Sequence, residues 1–113
     1  MTEQNTEKNN FQLVLCTCPD KNTASSIAEN IVAQRLAACV NILPGIQSIY
    51  QWQGNVESAE EILMLIKTHE TKFSSLKNSI VSMHPYEVPE IIALDISQGF
   101  PEYMNWLASS ILS

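Results

Sequence analysis

The chain has 113 residues, 45% of them apolar, with a formal net charge of −6 and a pI near 4.7. That length makes one domain, which buries roughly 60–70% of its unfolded surface and so builds a core without staples. The acidic balance, with Arg35 as the only arginine, excludes a nucleic-acid binder and weakens any phosphoryl-handling role, because both need clustered cations.

Residues 1–10 are polar, rich in Asn, Glu and Thr, and read as a flexible tail preceding a single domain over 11–113. The tail lacks an apolar signal core, and no apolar run approaches the ~20 residues that span a bilayer. A cytoplasmic protein with no membrane partner is the expectation. Residues 11–18 alternate as a strand, with Phe11, Leu13 and Leu15 on one side and Val14, Cys16 and Cys18 on the other. Pro19 stops the strand, and Asp20 is placed to cap a helix. Ala24, Ile27, Ala28 and Ile31 trace that helix's apolar face, and it is expected to end near Leu36 or Ala37.

A second strand at 39–43 meets Pro44-Gly45, where a kink or bulge is expected because proline removes a ladder donor. Extended structure resumes over 46–52, turns at 53–55 and returns over 56–67. The run Ile62-Leu63-Met64-Leu65-Ile66 is apolar on both faces and so belongs to a central, covered strand. Residues 70–83 form a second helix, with Phe73, Leu76, Ile80 and Met83 on one face. His84-Pro85-Tyr86-Glu87-Val88-Pro89-Glu90 then makes a rigid corner between two prolines. A fourth strand over 91–96 and a third helix over 100–112 complete the chain.

The order β-α-β-β-α-β plus a C-terminal helix is the α+β, ferredoxin-like split βαβ pattern, with helices on one face of an antiparallel sheet. The other face and an overlong hairpin need cover that one copy cannot supply, so a homo-oligomer is expected. Three cysteines leave at least one unpaired, and their spacing fits no disulfide scaffold. Cys16 and Cys18, two apart on a strand, point the same way and stand at the end of it.

In this order, Cys16-Thr17-Cys18-Pro19-Asp20, Leu36-Ala37-Ala38-Cys39-Val40-Asn41, Pro44-Gly45, Tyr50-Gln51-Trp52-Gln53-Gly54, Ile66-Lys67-Thr68 and the 84–90 corner resemble the CutA divalent-cation tolerance proteins. The resemblance covers about residues 11–112. It implies a ferredoxin-like protomer in a tight trimer, similar to PII signalling proteins, a cytoplasmic location and a link to copper tolerance. In bacterial members a cysteine late in the first strand and a pair of histidines before Pro-Tyr are the proposed copper ligands. On this chain those positions hold Cys16, Met83 and His84, with methionine where the family has its first histidine. Such a Cys/Met/His set suits Cu(I) better than hard cations.

Each of these residues also has a structural reading. A buried cysteine acts as a small hydrophobe, which is the expected role of Cys18 and Cys39 and the competing one for Cys16. Met83 lies on an apolar helix face. His84 at a helix end can cap carbonyls. Glu87 and Glu90 suit outer-shell or subunit-contact carboxylates and equally solvated turn residues. Tyr50, Trp52 and Tyr86 read as packing or subunit-contact residues, and His69 as a surface residue near a helix start. The leading function is a trimeric copper tolerance protein binding copper, or other divalent cations, through Cys16, Met83 and His84. The alternative is a PII-like regulator or scaffold that binds a small molecule or a partner at subunit clefts. An enzyme is not expected: no Gly-rich phosphate loop or complete metal motif is present, and the only nucleophile–base pairing would be Cys16 with His84.

Overall fold

The computed structural model describes residues 9–112. The elements, in chain order, are β1 (Phe11–Cys18), α1 (Lys21–Ala33), β2 (Cys39–Trp52), β3 (Asn55–His69), a 3₁₀ turn at Glu70–Lys72, α2 (Phe73–Met83), β4 (Ile92–Asp95) and α3 (Pro101–Ile111). One sheet has the order β2-β3-β1-β4, and every neighbouring pair is antiparallel. This is the split βαβ arrangement that the element order predicts. Residues 1–8 of the expected tail lie outside the described residues. Asn9 and Asn10 belong to the fold: Asn9 Oδ1 accepts the Phe11 N–H at 2.8 Å, and the Asn10 carbonyl accepts the Glu70 N–H at 2.9 Å.

Asp20 caps α1 by accepting the Thr23 N–H at 2.8 Å, and this bond holds its carboxyl below the usual range. The helix ends at Ala33, earlier than the apolar spacing suggests. The cause is Arg35, which enters the left-handed region at φ 62°. Arg35 N–H then donates to Val32 O at 3.0 Å and Leu36 N–H to Ile31 O at 2.9 Å, the paired bonds of a Schellman closure. Leu36 folds back onto the core beside Ile31, and its carbonyl accepts the buried Thr68 Oγ1 hydroxyl at 2.6 Å.

β2 and β3 form one long hairpin. The Pro44-Gly45 break resolves as a bulge, where pairing shifts between Leu43↔Leu63 and Ile46↔Glu61 and Gly45 sits at φ 80°. At the tip, Gln53 and Gly54 both have positive φ, as a two-residue turn of the right twist requires.

Strand parity divides the sheet. Val14, Cys16 and Cys18 of β1 and Ile62, Met64 and Ile66 of β3 face α1 and α2 and form the main core with Ile27, Ile31, Leu76 and Ile80. On the other face a smaller cluster joins Phe11 to Leu107 and Ile111 of α3. Beyond it, Leu13, Leu15, Leu63, Leu65, Ile92 and Leu94 share a surface by register, and Ile92 and Leu94 remain about half exposed. So α3 covers only part of the face opposite α1 and α2.

α2 stops at Met83 because Pro85 follows. A residue before proline is driven from helical to extended backbone, and His84 takes φ −81°, ψ 137°. That single change of direction sends its ring into the protein.

Candidate metal centre

Three donors meet at the end of β1. The thiols of Cys16 and Cys18 and the His84 ring have ligand atoms within 4.8 Å of one another, and all three residues are buried. β1 supplies both sulfurs because residues two apart on a strand face one side. The forced turn after α2 supplies the imidazole from beneath. Cys16 and His84 therefore come together as the sequence leads one to expect. Cys18, expected only as packing, is the sulfur 3.7 Å from His84 Nε2. Met83 is half-buried and packs against the same core cluster that contains both cysteines. Cys39 pairs with Lys67, so it lies on the opposite face of the sheet.

The partners of His84 define its tautomer. Nδ1 accepts the Tyr86 N–H at 3.1 Å, so Nδ1 carries no hydrogen. Nε2 therefore holds the proton and donates it to Thr17 O at 2.8 Å. The Cys16 Sγ lies 3.8 Å from the same carbonyl. Thr17 O is thus a shared acceptor between the ring and one thiol. The thiols differ in acidity. Cys18, receiving the Cys16 hydrogen bond, is lowered from the ordinary thiol value. Cys16 is pushed far up, first by that bond to Cys18 and then by burial.

A second feature borders this cluster. A cleft of about 790 Å³ runs between the distal hairpin and the 84–90 corner, with Thr17 in its lining. Glu61, buried at 8% exposure, accepts the Tyr86 hydroxyl on Oε2 at 2.8 Å. Burial, and then that carboxylate, push the Tyr86 phenol up, so it stays a neutral donor. Tyr50, Trp52, Glu87 and Glu90 also line the cleft. The aromatic residues expected to seal packing are, in the single chain, partly exposed around this space. Glu61 is the site residue that sequence reading missed. Its signal was faint, a carboxylate at the start of an apolar strand run. His69 accepts the Thr71 N–H at 3.2 Å and so caps the 3₁₀ turn. Among the described residues no helix is long and apolar enough to cross a membrane.

The family model described as CutA1 divalent ion tolerance protein matches residues 12–110. The Divalent-cation tolerance protein CutA of Thermus thermophilus is 50% identical over 96 residues, covering 85% of this chain and 93% of that protein. The Protein CutA homolog of Xenopus laevis is 46% identical over 95 residues, and the match spans 84% of this chain but only 63% of that longer protein. The crystal structure of CutA from Xylella fastidiosa superposes with a TM-score of 0.89 at 42% identity, covering 91% of this chain and 99% of that one. With the split βαβ fold and the Cys/His cluster at the end of β1, these matches show that the chain belongs to the CutA1 divalent ion tolerance family.

Proposed function

We propose that this protein is a trimeric, cytoplasmic copper-binding tolerance protein whose metal is held as Cu(I) at the Cys16–Cys18–His84 cluster. The observation that carries the reading is the meeting of two thiols and one imidazole, all buried, within 4.8 Å. Thiolates are soft donors and select Cu(I) over the oxygen-seeking Mg²⁺ and Ca²⁺. The two thiols are the principal ligands of this reading. His84 is the weaker one, because its Nε2 carries a proton committed to Thr17 O and its Nδ1 faces a backbone N–H. Met83 is a further soft donor on the neighbouring backbone position.

A protonated Nε2 cannot take the proton of Cys18, so the pair is not an activated nucleophile in this arrangement. Three free cysteines fit a reducing compartment. The trimer is supported by the leucine-rich sheet face that α3 leaves open.

Anaerobic competitive titration with Cu(I) tests the site. Cys16→Ser and Cys18→Ser are each expected to weaken affinity at least 100-fold, and His84→Ala by about tenfold, the smaller loss expected of a supporting group. Affinity falls with acid, because thiolates must be free of protons to bind. Met83→His is expected to raise Cu(II) affinity by adding an imidazole. If neither serine variant changes copper affinity, the metal reading is wrong.

A further inference from the structure

The 84–90 corner delivers His84 to the thiols, yet little in the corner itself holds it there. Pro85, Tyr86, Glu87, Val88 and Glu90 are all exposed, so burial does not fix them. Among the described residues no backbone–backbone hydrogen bond joins 85–90 to the rest of the fold. Pro85 and Pro89 restrict the local dihedrals, but they do not set where the corner sits on the sheet. Among the described residues one side-chain hydrogen bond ties residues 85–90 to the sheet. The Tyr86 hydroxyl donates to Glu61 Oε2 at 2.8 Å, across 25 residues of chain.

Glu61 is a firm anchor. It lies on β3 opposite Ile46, just past the bulge, and the next residue, Ile62, pairs with Cys18. The tie is therefore made to the stretch of β3 that also sets the position of one thiol. Glu61 is buried, and a buried carboxylate binds an O–H donor strongly and is costly to leave without one. From Tyr86 two contacts reach His84. The Tyr86 N–H donates to Nδ1 at 3.1 Å, and the two rings lie 4.7 Å apart between centroids, tilted by 54°. The other edge of the imidazole meets Thr17 O and the Cys18 sulfur. A continuous chain of contacts thus runs from Glu61 through Tyr86 and His84 to Cys18.

We propose that Glu61 is a positioning residue for His84: through the Tyr86 hydroxyl it holds the corner so that the imidazole stays against Cys18. Without that bond the corner is free to shift, the Tyr86 N–H leaves Nδ1, and the ring turns. The donor set then loses its preorganisation and must be ordered at the moment of binding. The placing of His84 is a property of the metal-free protein. Its consequence for copper rests on the metal reading above.

The test reads the ring nitrogens of His84 by nitrogen-15 NMR in the full chain, reduced and kept free of metal with a chelator. The parent is expected to show one protonated and one bare nitrogen with well separated signals. Tyr86→Phe keeps the ring and removes the hydroxyl, and Glu61→Ala removes the acceptor. Each is expected to draw the two signals together as the freed ring exchanges between tautomers. Glu61→Gln, whose amide oxygen still accepts the hydroxyl, is expected to keep the parental pattern. His69, the other histidine, is the internal control and should not change. A mere loss of stability, read well below the melting temperature, would not move the His84 nitrogens alone. In anaerobic Cu(I) titration Tyr86→Phe is expected to weaken affinity about threefold to tenfold, and to add nothing in a His84→Ala background. A parent that binds no Cu(I) sinks the metal reading and leaves the nitrogen signals to decide this one. The proposal is overturned by parental nitrogen signals in either Tyr86→Phe or Glu61→Ala, or by a Glu61→Gln pattern as altered as that of Glu61→Ala. It is equally overturned if Tyr86→Phe costs the same Cu(I) affinity with and without His84.

Discussion

The two faces of the sheet are built by the same alternating strands, yet they end in opposite states. On the face toward α1 and α2, Val14, Cys16, Met64 and Ile66 are wholly buried. One residue along, Leu13, Leu15, Leu63 and Leu65 are only half-buried, and Ile92 and Leu94 of β4 are about half exposed. Two helices seal one side, while α3 covers only part of the other, around Phe11, Leu107 and Ile111. The lesson is that apolar alternation fixes which residues share a face. It does not say what will cover that face. The first is finished by the chain itself; the second is left for the proposed neighbouring copies.

The largest expected effect lies on the finished face. Met64→Ala removes a fully buried side chain between β3 and the helices and is expected to cost about 2–5 kcal/mol. Chemical denaturation at two protein concentrations measures it. If assembly completes the open face, the neighbouring Leu65→Ala should by contrast lose more stability in dilute than in concentrated protein. Equal concentration dependence for the two variants would erase the distinction between the faces. Next in size is Leu94→Asp, which places a charge on the open face. Sedimentation at micromolar concentration is expected to give three times the 12.6 kDa chain mass for the parent and a smaller species for the variant, with far-ultraviolet dichroism retained. An unchanged mass would show that this face is not the contact. The smallest effect belongs to neither face. Gln53 at the hairpin tip holds a φ of 51°, which asparagine tolerates better. Gln53→Asn is expected to stabilise by up to about 1 kcal/mol in the same denaturation assay, a gain expected from turn geometry alone.

The chain of elements was legible because its signals are local. Asp20 caps a helix, Pro44-Gly45 forces a bulge, and Pro85 ends α2, each acting on a few adjacent residues. The early end of α1 was less legible, because an arginine in the left-handed region carries none of glycine's warning. The meeting of Cys16 with His84 was expected through the family resemblance. The resemblance did not point to Cys18, and strand parity alone carried it to the same side.

What the sequence determined by itself is therefore the order of elements, the two-sidedness of each strand and the rigid corner after α2. All of these follow from backbone rules that reach only a few residues. Tertiary structure decided which groups meet across the fold. It set the Cys18 sulfur 3.7 Å from the ring and gave the Nε2 proton to Thr17 O. It also brought Tyr86 onto Glu61, 25 residues away in the chain. These contacts depend on the β1–β3 register and on the direction in which α2 delivers His84 and the corner after it. Register and direction are settled by burying the apolar core as a whole, which no local pattern encodes.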